Sequence, residues 1–181
     1  MNLQLLQTEL AALINDREPS GPSRDPLGDP YLSDVAEGDH LRRIQAISLW
    51  WRALDIGRYC VLTGKLMAAF GAFTPAVQAY LASAHFSPYI EELGPDFLRA
   101  QFAHPIPCVA AMAQIEYALL RVRKGDPAEY TTLCGFDPLH LIGDLLTGGM
   151  TPSSLVEGQY TCVVSNRCRD LIEVCQDRAA K

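Results

Sequence analysis

Residues 160–175 read Tyr-Thr-Cys-Val-Val-Ser-Asn-Arg-Cys-Arg-Asp-Leu-Ile-Glu-Val-Cys, and this stretch decides whether the chain is all-helical or carries a sheet. Tyr160, Thr161, Cys162, Val163, Val164 and Ser165 are rich in β-formers. Residues 171–175 pair with them as a hairpin across the 166–170 loop. Cys168, Leu171, Ile172 and Cys175 also fit helical spacing, so a helix stays open as the alternative for the second run. Working back from the hairpin, residues 130–133 form a further short β-prone run. Asp137-Pro138 is a helix start, and residues 139–146 continue as a helix until Gly148-Gly149. Residues 126–181 are therefore expected to be a small α+β module with a hairpin or three-stranded sheet.

Residues 1–125 follow a different pattern. Leu3, Leu6, Leu10 and Leu13 give a short first helix. Residues 18–39, with Pro19, Pro22, Pro26 and Pro30, form an irregular connector, because proline removes a donor and fixes φ. Asp39 is a helix cap, and Leu41, Ile44, Ile47, Trp51 and Leu54 recur on one helical face. Residues 61–70 end at Gly71, Thr74-Pro75 opens the next helix, and Gly94-Pro95-Asp96 punctuates before a short helix containing Phe97, Leu98 and Phe102. A long helix covers about residues 108–122 and breaks at Lys124-Gly125-Asp126-Pro127. The fold expected is mainly α: a helical bundle with a small C-terminal α+β appendage.

The bulk numbers narrow the function classes. A chain of 181 residues that is 49% hydrophobic has material for one core, and a net charge of −6 weighs against nucleic-acid binding. No secretory signal and no apolar run of about 18–20 residues is visible, so the chain reads as cytoplasmic and off the membrane. The six cysteines are read as reduced thiols.

Residues that carry chemistry are sparse. His40, His85, His104 and His140 show no two-His helical spacing. His85 and His104 flank one segment and are a weak metal pair, for which surface positions are the simpler reading. The hairpin would bring Cys162 toward Cys175, for packing rather than for metal or redox work. Gly57, Gly64 and Gly71 suit close helix packing and a C-cap. Trp50-Trp51-Arg52 suggests one core Trp and one interface anchor, with a ligand-stacking platform as the alternative. Glu116 lies in an apolar helical face, and a buried carboxylate needs a partner. Arg52 or Arg58 is expected to supply a structural ion pair, with a general base as the alternative. A thiol enzyme built on Cys60 or Cys134 is the weakest reading. No catalytic residue and no metal ligand is assigned in this chain.

Residues 51–126 carry a more specific pattern. Ser87-Pro88-Tyr89-Ile90-Glu91-Glu92-Leu93-Gly94-Pro95-Asp96-Phe97-Leu98 is followed by Met112-Ala113-Gln114-Ile115-Glu116-Tyr117-Ala118. Upstream stand Trp51-Arg52, Arg58 and Cys60-Val61-Leu62-Thr63. This pattern resembles the HvfC/BufC-like helical domain group. The short C-terminus is more similar to the compact subunits of that group, the MbnC type of methanobactin biosynthesis and the TglI type of the thiaglutamate pathway. The resemblance implies a partner subunit, inactive alone, of an MbnB-like TIM-barrel oxidase. The barrel holds two or three irons and modifies cysteines of a ribosomal precursor peptide, and the small subunit holds the peptide leader. Residues 160–165 are the expected strand edge for the leader. Phe86, Tyr89, Phe97 and Phe102 are candidate partner-interface residues, with core packing as the alternative. A helical DNA-binding regulator is the rival, since relatives have carried that label.

Overall fold

Gly38 caps the first long helix and Asp39 is its first residue, so both leave the irregular connector. The computed structural model describes residues 38–83 and 90–176, together with Gln7, Leu10 and Ile14, which are helical. The remainder of the expected first helix and connector lies outside the described residues. Among the described residues, six α-helices and three strands follow: α1 Asp39–Tyr59, α2 Val61–Ala69, α3 Phe73–Ala82, α4 Ile90–Ala100, α5 Pro107–Arg123, β1 Tyr130–Phe136, α6 Pro138–Thr147, β2 Glu157–Val164 and β3 Ile172–Gln176. The chain is a helical bundle closed by a small antiparallel sheet. No helix of the described residues is long and apolar enough to cross a membrane.

Local signals account for most boundaries. Gly71 ends α2 with a positive φ of 67°, a conformation that costs glycine little. Pro107 sits in the first turn of α5, where its missing donor is not needed. The Asp137 side chain accepts the Leu139 and His140 amides to cap α6, and Gly148 ends it in the left-handed conformation.

Two expectations are corrected by packing. The Gly94-Pro95-Asp96 break is absent, and α4 runs through it. Burial of Leu93, Phe97 and Leu98 outweighs the lost proline donor. Gly94 is also where α4 meets the end of α1: a Cβ there would lie 2.5 Å from Tyr59 Cβ. The second correction concerns α1, where Ile44, Ile47 and Trp51 of the expected buried stripe face outward while Leu41 is buried as expected and Leu54 is half-buried. Leu41 and Ile56 are its buried residues, while Ile44, Ile47 and Trp51 are exposed. Apolar residues lie on two sides of this helix, and the bundle takes the side carrying Leu41 and Ile56.

Helix α5 organises the rest. Cys108, Val109, Met112, Ile115, Ala118 and Val122 are all buried along it. It packs against α2 and α4 and against β1 and β2. One continuous apolar core therefore runs from Ile56 and Leu66 through α5 to Phe136, Leu145 and Val164. The strand order is β1-β2-β3, antiparallel throughout. The hairpin reading of residues 160–175 holds and the helical alternative falls. The Ser165 amide donates to the Leu171 carbonyl at 3.0 Å across the connection.

Gly94→Ala should lower unfolding free energy by about 1–3 kcal/mol, because backbone-anchored atoms of Tyr59 block the new methyl. Gly143→Ala in α6, where a Cβ meets nothing, should raise it by about 0.5–1 kcal/mol. Urea denaturation of both variants checks the pair, and equal effects would contradict the packing described.

Candidate functional site

The sheet is the first candidate surface. Along β1, Thr132, Cys134 and Phe136 point into the core and Thr131, Leu133 and Gly135 point out. On β2, Tyr160, Cys162 and Val164 are buried. The register places Thr161 between Leu133 and Cys175, so these three share the outer face. Leu133 is 75% exposed there.

The expected open edge at residues 160–165 is corrected by this topology. Tyr160, Thr161, Cys162, Val163 and Val164 belong to the central strand, paired with β1 on one side and β3 on the other. Ser165 is buried at the end of β2, where its hydroxyl accepts the Arg167 amide. A central strand has no unpaired ladder groups to offer. Among the described residues, no backbone hydrogen bond reaches the outer side of β3. The same holds for β1, the other edge strand, so the edges open to an extended peptide are residues 130–136 and residues 172–176, the latter within the hairpin. Along β3, Ile172 and Val174 alternate with Glu173 and Cys175.

The thiols are placed differently than expected. Cys162 lies opposite Val174 in the register and faces inward, whereas Cys175 lies opposite Thr161 on the outer face. The two do not converge. Burial pushes the Cys134 thiol up to about 11 and the Cys162 thiol up to about 12, the latter with help from neighbouring Cys134 and Cys168. Burial also raises the Cys60 thiol strongly, with Glu116 adding to it, and Cys60 Sγ donates to the Gly94 carbonyl at 3.4 Å. Protonated, enclosed thiols are poor nucleophiles, so neither Cys60 nor Cys134 is placed for thiol catalysis. His104 Nδ1 accepts the Ile106 amide at 3.1 Å in a turn, and His85 lies outside the described residues.

The second candidate centre is Glu116 on α5. Its Oε1 accepts the Leu62 amide and its Oε2 the Thr63 amide, each at 2.8 Å. These are first-turn donors of α2, whose N-cap position, Cys60, makes no side-chain cap. The carboxylate thus caps α2 from another helix, where the orphan amides and helix dipole favour an anion. The expected ion pair is corrected: Arg58 lies 3.7 Å from Asp55 instead, and neither Arg52 nor Arg58 is among the groups acting on the Glu116 carboxyl. Burial raises that carboxyl above its ordinary value, and the Thr63 and Leu62 amides partly oppose the rise. With both oxygens taken by main-chain donors, Glu116 is a structural group and not a poised base.

The interface candidates divide. Phe97 is a core residue, edge-to-face with Phe73 and Tyr80 at ring distances of 6.4 and 5.4 Å. Phe102 remains at the surface with its ring 5.5 Å from Tyr117. Phe86 and Tyr89 lie outside the described residues. The expectation that one of the two tryptophans is core is also corrected: Trp50 is 58% and Trp51 50% exposed. No protein-family model matches the chain, and no curated protein or solved structure is a match.

Glu116→Gln should cost about 1–3 kcal/mol, because an amide NH2 would face a main-chain donor. Glu116→Leu should cost more, since it orphans both amides. The folded-state carboxyl titrates above its ordinary 4.5, so its contribution is full below that value and declines as pH rises through the folded value. The stability advantage of wild type over Glu116→Gln should therefore narrow with rising pH. Thermal melts of both proteins across pH 4–8 test the sign.

Proposed function

We propose that the chain is the cytoplasmic partner subunit of a TIM-barrel iron oxidase that modifies cysteines of a ribosomal precursor peptide. In this reading the barrel holds the irons and consumes dioxygen, forming oxazolone and thioamide groups of the methanobactin type. The small chain and the barrel form a heterodimer, and the small chain holds the peptide leader. A thiaglutamate-type pathway has the same division of labour.

The observation that carries the proposal is the outer side of β3, which receives no backbone hydrogen bond among the described residues, at the end of a helical bundle. An exposed strand offers a row of main-chain donors and acceptors, and an extended leader can pair with them as a fourth strand. Main-chain bonding gives affinity. Side chains on alternate faces give register, with Glu173 and Cys175 on the outer face and Ile172 and Val174 on the other. The resemblance of residues 51–126 to the HvfC/BufC-like group supplies the identity of the partner.

Co-expression with a TIM-barrel iron protein encoded beside this chain should give a stable heterodimer that modifies its peptide, whereas the isolated subunit should not. Separate elution with no gain in activity on mixing would reject the proposal. Proline placed singly at Val174 and at Cys175 tests the edge. Neighbouring residues of an edge strand point their amides in opposite directions. One variant should fold and lose peptide binding, and the other should disrupt pairing with β2. If the well-folded one retains peptide affinity, β3 is not the dock. Val163→Pro, within the central strand, should unfold the sheet instead.

A further inference from the structure

We infer that the outward face of α1 is the surface that seats the oxidase partner, and that the partner meets it with an apolar cleft rimmed by carboxylates. The inference rests on the functional reading above and adds to it the place and chemistry of the subunit contact.

Ile44, Ile47 and Trp51 recur at helical spacing on the side of α1 turned away from the bundle, with Trp50 beside them. Ile47 is 56% exposed, and both tryptophans are at least half exposed. The Trp50 and Trp51 rings lie edge to face with centroids 4.9 Å apart, so the aromatic pair is already arranged in the free chain. Single exposed apolar residues are ordinary, but a helical row of two isoleucines and two tryptophans is a contiguous patch that water penalises. Anchors spaced i, i+3 and i+7 are the pattern of a helix laid into a groove.

Charge selects the occupant. Helix α1 contains Arg42, Arg43, Arg52 and Arg58 and no lysine against Asp39 and Asp55, the last of which pairs with Arg58, in a chain of net charge −6. Arg42 and Arg43 are exposed and pair with no carboxylate among the described residues. Arg43 lies four residues before Ile47, at the edge of the apolar row. Arginine with tryptophan and without lysine is the composition of a protein contact, and the guanidinium fork matches a carboxylate in two-point geometry. A partner with an apolar cleft and acidic rim satisfies both features. A second copy would bring arginine-bearing helices together.

The test uses the heterodimer. Trp51→Glu and Ile47→Glu alter exposed side chains and should leave circular dichroism and peptide affinity unchanged. Each should weaken binding of the full-length barrel protein about 30-fold or more, the loss expected for a central anchor. Leu133→Glu, still more exposed but on the sheet, should leave barrel affinity unchanged. Hydrogen exchange of the wild-type complex should protect the outward face of α1, which gives a readout independent of any variant. Unchanged barrel affinity in both α1 variants, or no protection of α1, would overturn the inference while leaving the functional reading intact. Failure of the wild type to bind the barrel would overturn both. Dimerisation of the isolated chain, or cosedimentation with phosphatidylglycerol vesicles, abolished by Trp51→Glu while barrel binding persists, would reassign the face to a second copy or a lipid surface.

Discussion

A carboxylate from α5 holding the first amides of α2 is the contact on which the arrangement of the bundle depends. Glu116 is surrounded by apolar residues of the central helix, where an unsatisfied charge would be severely unfavourable. Helix α2 starts directly after Cys60, with no side chain of its own to cap it. Each defect removes the other. The two hydrogen bonds have direction as well as strength, so they fix how α2 enters against α5 in a way that apolar contact alone does not. Cys60 adds a neighbouring link to Gly94, and α1, α2 and α4 meet there with no room for a methyl group.

From that junction the core continues through α5 into the sheet. The inner faces of β1 and β2 are covered, and β2 is paired on both sides, so the strand best buried is also the one least available to a ligand. Among the described residues, the surfaces left open are peripheral and include the outer sides of β1 and β3, the exposed sheet face around Leu133, and the outward row of α1. These surfaces lie on different elements. The proposed peptide and protein contacts would therefore not compete, because occupancy of one surface leaves the other open.

Elements with local punctuation were legible in the sequence. Asp137, Pro138 and Gly148 bracket α6 through chemistry confined to a few residues, and β-branched residues mark the hairpin. Long-range choices were not legible. The apolar residues of α1 define two faces, and nothing in their spacing says which one the bundle covers. Pro95 looks like a helix breaker until the burial of Phe97 and Leu98 is known. Glu116 signals that it needs a donor, but side-chain letters suggest arginine and hide the free amides at the start of a helix. The central place of β2 depended on the partner strand contributed by residues 130–136, of which only the first part stood out as β-prone.

The sharing of α5 between bundle and sheet has a consequence for synthesis. The helix ends at Arg123, yet the strand that completes its cover ends at Val164. A ribosome elongating at ~5–20 residues per second needs roughly 2–8 s to make the intervening chain. Through that interval the sheet-facing side of α5 is uncovered on the nascent polypeptide. Holdase chaperones have their opening there, and a ribosomal pause downstream of the bundle would prolong it.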